Sequence, residues 1–166
     1  AGIGHVATLM AMYEKEKGVF ELKDYIGKAP AHFAAVNGHT AILMAMYDKE
    51  KGVFELKDDD GKSPAHYAVK YGETETLMAM YEKEKGVFEL KDNVGNAPAH
   101  YAAGNGHTAT LMAMYDKEKG VFELKDNEGK TPAHYAAQWG QTATLMAMFG
   151  VDASVLQVQD KEGRTP

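Results

Sequence analysis

Apolar and polar residues fall along the chain in blocks. A short apolar block such as Pro64-Ala65-His66-Tyr67-Ala68-Val69 is closed by Gly72, a denser one, Leu77-Met78-Ala79-Met80-Tyr81, follows, and a charged stretch, Glu82-Lys83-Glu84-Lys85-Gly86, ends the set. Ser63 is a good N-cap and Pro64 suits the first helical position, where its missing N–H costs nothing, so the pattern predicts a short helix from Pro64 to about Tyr71. Gly72 is expected to stop it as a left-handed C′ residue. A second helix is predicted from Thr74, with Leu77, Met80 and Tyr81 at helical spacing and Met78 and Ala79 making it apolar almost all round. Such a helix requires cover on both flanks. The charged stretch is expected to carry it about one more turn, with lysines near the negative end of its dipole and Gly86 as the stop. Val87-Phe88-Glu89-Leu90-Lys91 is read as extended, with Phe88 and Leu90 on one side. Turns such as Asp58-Asp59-Asp60-Gly61 place Asp at the first and Gly at the fourth position of a type I turn.

The blocks recur at a fixed interval. Pro30, Pro64, Pro98, Pro132 and Pro166 stand 34 residues apart, as do Gly4, Gly38, Gly72, Gly106 and Gly140. A period of this length is the signature of a stacked repeat architecture. The chain starts in the middle of one unit and stops at the proline of another, so both ends are expected to be cut from something longer.

The Asp-x-x-Gly turn, the Thr-Pro-x-His-x-Ala-Ala start of the first helix and the Gly-His before the second resemble the ankyrin repeat family. The motif stands here as Asp126, Gly129, Thr131, Pro132, His134, Ala136 and Ala137, and as Gly106-His107. The resemblance implies an all-α solenoid of stacked helix-turn-helix units with β-turn or hairpin-like loops. It implies one array over 1–166, with units at 24–57, 58–91, 92–125 and 126–159 and partial units at 1–23 and 160–166. Tetratricopeptide repeats share the period but need two long helices, which the Gly61 and Gly72 punctuation does not allow. Two departures stand out. Ala31, Ala65, Ala99 and Ala133 replace the family's usual Leu after Pro, while Phe33, Tyr67, Tyr101 and Tyr135 replace the next Leu, which reads as one volume exchange. The unit is also one residue longer than the common form, in the Lys-Glu-Lys-Gly stretch, which is expected to form a solvated charged ridge. In the last copy Phe149-Gly150-Val151-Asp152-Ala153-Ser154 replaces the Tyr-Glu-Lys-Glu-Lys-Gly of other copies, and its second helix is expected to end about a turn early, at Gly150.

The copies also alternate. At the turn tips Ile26 and Val94 alternate with Asp60 and Glu128; at the first cap Ala29 and Ala97 alternate with Ser63 and Thr131. At the end of the first helix Asn37 and Asn105 alternate with Tyr71 and Trp139, and the next variable position reads His39, Glu73, His107, Gln141. The sequence unit is therefore a pair of repeats, doubled. A duplication of a two-repeat segment is a sufficient cause. The resemblance adds that turn tips and first-helix ends form the concave, ligand-facing side of such arrays.

Composition and charge narrow the functional classes. Lys+Arg 18 against Asp+Glu 24 leaves a net charge of -6, which works against nucleic acid and anionic lipid as partners, since both need a basic surface. The absence of Cys excludes disulfides, thiolate zinc sites and thiol nucleophiles. No apolar run approaches a membrane span of ~20 residues, and the first residues lack the form of a signal peptide, so an intracellular location is the default. His32, His66, His100 and His134 recur in every unit, which points to a structural task shared by every unit, tying turn to helix, rather than to a metal site. No set of unique, convergent groups suggests a catalytic site or a cofactor site.

Two functional readings remain. One is a non-enzymatic scaffold that binds a protein partner through Tyr25, Asp59, Asp60 and Tyr71 and, further along, Asn93, Asn105, Asn127, Glu128 and Trp139. The other is a self-assembling array, associating through apolar ends that carry no polar capping unit. A targeting module of a larger enzyme or effector is the third.

Overall fold

The computed structural model describes residues 2–166, with side chains from residue 6 onward. Among the described residues every regular element is an α-helix or a 3₁₀ turn, and none is a strand. The chain divides into two compact parts, Ala1–Val87 and Phe88–Pro166.

The first part holds α1 (Gly2–Lys15), α2 (Pro30–Val36), α3 (Thr40–Lys49), α4 (Pro64–Lys70) and α5 (Thr74–Lys83). Short first helices pack on one another, α2 on α4, and longer second helices do the same, α1 on α3 and α3 on α5. Leu43, Met46, Leu77 and Met80 are fully buried, with Phe20 and Phe54 beside them. Full burial of each such side chain is worth about 1.5–3 kcal/mol over leaving it in water. The second part repeats the plan with α6 (Pro98–Gly104), α7 (Thr108–Lys117), α8 (Pro132–Gln138) and α9 (Thr142–Val151), α6 packing on α8 and α7 on α9. Leu111, Met114, Met148 and Phe122 form its core.

The first helices start and stop where the cap and glycine signals place them: α4 begins at Pro64, and Gly72 closes it at φ 76°. The cap chemistry is different from the one expected. The Ser63 hydroxyl makes no hydrogen bond to the helix backbone; it lies 2.8 Å from His66 Nδ1, which also accepts the Ser63 backbone N–H at 3.0 Å. The histidine therefore does the capping. Copies with Ala at this position cap equally well, Ala29 N–H to His32 Nδ1 and Ala97 N–H to His100 Nδ1, both at 3.0 Å.

Three expectations for the second helices are corrected. Gly86 is not a left-handed stop: α5 ends at Lys83 because Glu84 turns to the extended region at φ −147°, ψ 106°, and Gly52, Gly86 and Gly120 keep ordinary φ. The following stretch is not extended either. Lys51–Phe54, Lys85–Phe88 and Lys119–Phe122 are 3₁₀ turns, which bring adjacent residues inward together, so Val53 and Phe54 are both buried, as are Val121 and Phe122. Thirdly, α9 does not end early. It runs through Gly150 to Val151, the same 10 residues as α7, because Gly150 keeps a right-handed conformation and a glycine stops a helix only when it turns left-handed. The charged ridge is exposed as expected. On it Lys49 pairs with Glu14 and Lys83 with Asp48, both at 3.0 Å, and Lys51 and Lys119 lie over the rings of Tyr47 and Tyr115, which stack on Phe54 and Phe122.

His32, His100 and His134 also reach forward. Because Nδ1 accepts a backbone N–H, the ring proton sits on Nε2. That proton is donated to a carbonyl of the next unit: His32 to Lys62 at 3.0 Å, His100 to Lys130 at 3.1 Å, His134 to Arg164 at 3.0 Å. Burial holds the pKa of His32 and His100 below the ordinary histidine value, which suits this neutral role. The aromatic after each histidine explains the departure from Leu more fully than volume does. The hydroxyls of Tyr67, Tyr101 and Tyr135 donate to Asp58, Asp92 and Asp126 at 2.6, 2.6 and 2.9 Å. Tyr67 and Tyr135 also meet the preceding unit's His32 and His100 edge-on, at ring separations of 5.6 and 5.2 Å.

Candidate functional site

The turn tips are built around one aspartate each. Asp58 Oδ1 accepts the N–H groups of Asp60 and Lys62 at 3.0 and 2.8 Å, and Asp126 Oδ1 those of Glu128 and Lys130, both at 2.8 Å. This is the Asx-type closure that lets a short polar side chain replace a backbone partner. Its other oxygen is held by the tyrosine, so turn and first helix are locked together. Successive tips are then joined through the backbone: Asp59 N–H to Ile26 O at 3.3 Å in the first part, Asn127 N–H to Val94 O at 3.1 Å and Lys161 N–H to Glu128 O at 2.9 Å in the second.

All nine sequence-derived candidates are exposed. In the first part Tyr25, 93% exposed, neighbours the adjoining tip that carries Asp59 and Asp60, and Tyr71 caps the end of α4 at 52% exposure. In the second part the side-chain amide of Asn127 donates to the Asn93 carbonyl at 3.4 Å. Asn127 and Glu128 also line a cleft of about 330 Å³ with Val94, Lys130, Tyr135 and Gln138. Asn93, Asn105 and Trp139 lie outside that lining; Asn105 and Trp139 cap α6 and α8.

Two features of this surface were missed in the sequence. The acidic tips are neutralised locally: Lys62 pairs with Asp60 and Lys130 with Glu128, both at 2.7 Å, and Arg164 with Glu162 at 2.6 Å. The Lys62 ammonium holds the Asp60 carboxyl below the usual carboxylate range. An acid-Gly-base triplet recurs at these places, Asp60-Gly61-Lys62, Glu128-Gly129-Lys130 and Glu162-Gly163-Arg164, and that spacing was the available signal. The other feature is that part of the alternation is internal packing. Trp139 lies against Gly104 of the preceding unit, and Gln141 Nε2 donates to the Gly104 carbonyl at 3.1 Å; threonines that do not alternate also join units, Thr108 to Thr144 at 2.6 Å and Thr40 to Thr76 at 2.7 Å.

Short first helices closed by left-handed glycines, longer second helices and aspartate-closed turns form a recurrent unit. A family model of ankyrin repeats matches residues 3–88 and 75–158. The chain belongs to the ankyrin-repeat family. Ankyrin repeats are in general protein–protein interaction modules and non-enzymatic scaffolds. A comparison with curated proteins finds no match. In this ankyrin-repeat chain no three His, Cys, Asp or Glu residues come together as a metal site among the described residues. No described helix is long and apolar enough to cross a membrane.

Proposed function

We propose that the chain binds a protein partner through its turn tips and first-helix ends: Tyr25, Asp59, Asp60 and Tyr71 on the first part, Asn93, Asn105, Asn127, Glu128 and Trp139 on the second. The observation that carries this reading is Trp139, which is 62% exposed yet braced on one side by Gly104. A large aromatic held in place and left in water contributes binding area without ordering cost, which is why Trp and Tyr dominate interface hot spots. Within the same part, exposed Val94 on a turn tip adds apolar area. The paired acids and lysines there supply a polar rim. Capture from a native lysate with wild type and Trp139→Ala in parallel tests it. The variant is expected to lose the captured partner while keeping its helix content; equal capture by both removes the proposal.

A second reading, self-association, is supported by a different observation. An apolar groove of about 550 Å³ runs between α1, α2 and α3, lined by Leu9, Met12, Phe33, Ile42 and others, and Met146, Phe149 and Val151 on α9 are exposed. Light scattering over a concentration series decides it: a mass that stays monomeric throughout removes it.

A further inference from the structure

We infer that Asn105 is a site of spontaneous covalent modification, an asparagine that converts to aspartate and isoaspartate in the folded protein. This stands whether or not the surrounding surface binds a partner.

Two of the asparagines in the sequence, Asn37 and Asn105, precede glycine, and they occupy equivalent positions at the C-terminal ends of α2 and α6. Glycine at the next position matters because the reaction is an attack by its backbone nitrogen. The Gly106 nitrogen gives up its proton to solvent base and bonds to Asn105 Cγ. Nδ2 takes a proton from solvent, the Cγ–Nδ2 bond breaks, and ammonia leaves. Water then opens the resulting five-membered imide at either carbonyl, giving aspartate by one route and isoaspartate by the other. No side chain at residue 106 obstructs the approach, and both asparagines are exposed to the water required.

The structure separates the two sites. Asn37 Nδ2 donates to the Phe33 carbonyl at 2.8 Å, which ties the amide back along its own helix and holds Cγ away from Gly38. No hydrogen bond holds the Asn105 side chain among the described residues. The backbone differs as well. Residue 36, the last of α2, is Val, whereas the last residue of α6 is Gly104; glycine weakens a helix end because it loses the most conformational freedom on folding. Asn105 sits at φ −90°, ψ −1°, with Gly106 N–H bonded to Ala103 O at 3.2 Å. Cyclisation requires that bond to open and ψ to rotate. Gln141 Nε2 holds the Gly104 carbonyl at 3.1 Å, and against that restraint the glycines on both sides of Asn105 leave its ψ the backbone freedom that cyclisation uses. The product carries a new negative charge at the negative end of the α6 dipole.

The test is incubation of the folded chain at mildly alkaline pH, below its melting transition. Protease digestion and mass spectrometry then follow the replacement of amide NH2 by OH at each asparagine. Isomerisation at Asp60-Gly61 shares the chemistry but changes no mass, so it does not interfere. The expected result is conversion at Asn105 several-fold faster than at Asn37, abolished by Asn105→Gln and slowed by Gly104→Ala, with the two rates converging in denaturant. Conversion at Asn37 as fast as or faster than at Asn105, no conversion at either, or a ratio unchanged in denaturant would each overturn the inference.

Discussion

The indole of Trp139 rests on Gly104: a Cβ built on that glycine would stand 3.2 Å from Trp139 Cδ1 and 3.6 Å from its Nε1. Residue 104 is glycine where the first part has Val36, and residue 139 is tryptophan where it has Tyr71. The small residue of one unit thus accommodates the large residue of the next. Gly104→Ala tests which effect is larger. Alanine is better than glycine in a helix by about 1 kcal/mol, and the exposed indole can give way by the few tenths of an ångström needed. The variant is expected to gain ~0.5 kcal/mol in urea unfolding and to shift the tryptophan emission, since Trp139 is the sole tryptophan.

Tyr101→Phe removes the hydroxyl that reaches Asp92 at 2.6 Å while keeping the ring. Burial and the Asp92 carboxylate both push the Tyr101 pKa upward, so the phenol stays protonated and donating. Asp92 is nearly buried and would lose that donor. The expected cost is about 1–2 kcal/mol, read as a lower urea midpoint at unchanged m-value.

Histidine burial sets a pH dependence. His32 and His100 have folded pKa values below the unfolded value, chiefly through desolvation. An unfolded chain therefore binds protons at these sites before the folded one does. Their contribution is complete above about pH 6.5 and is lost as the pH falls below it. Two groups oppose the trend: the Glu84 and Glu118 carboxyls are pushed up by burial and by Glu55 and Glu89, so they favour the folded state at lower pH, in the carboxylate range. Asp160, held at about 2, does not titrate in this window. The urea midpoint is expected to drop between about pH 7 and pH 5.5; a midpoint that rises across that interval would contradict the assignment.

Two glycines predict opposite outcomes. Gly95 sits at φ 86°, and an added Cβ would come 2.6 Å from the Asn127 backbone nitrogen on the adjacent tip. Gly95→Ala is expected to cost at least about 2 kcal/mol, from left-handed strain and from separating the tips. Gly120 has an ordinary φ and nothing within 4 Å, so Gly120→Ala should stay within about 0.5 kcal/mol of wild type. Paired thermal melts compare them directly.

Much of the fold was legible because local chemistry and the repeat agree. Pro64 and Gly72 mark a helix from opposite ends by the absence of an N–H and of a Cβ, and neither needs tertiary context. The errors lie where one signal had two meanings. Gly86 and Gly72 look alike in sequence, but only Gly72 takes the left-handed conformation; the helix before Gly86 is ended by Glu84, whose extended backbone no local rule announces. Phe88 and Leu90 flank Glu89 at a strand period, yet the 3₁₀ turn Lys85–Phe88 buries the neighbours Val87 and Phe88 together. The exposure of the candidate surface followed from variation at Tyr71 and Trp139. The bracing of Trp139 did not, because it depends on a glycine 35 positions upstream, a relation between units rather than within one.

The forward-reaching histidine gives the array a polarity. His32, His100 and His134 each spend their Nε2 proton on a carbonyl of the unit that follows, and none of those bonds points backward. Each bond joins two neighbouring units, is worth about 0.5–1.5 kcal/mol net, and is lost when either unit unfolds. Because the same ring caps its own helix through Nδ1, amide exchange at the start of α2 and of α6 should be coupled to the opening of the unit that follows.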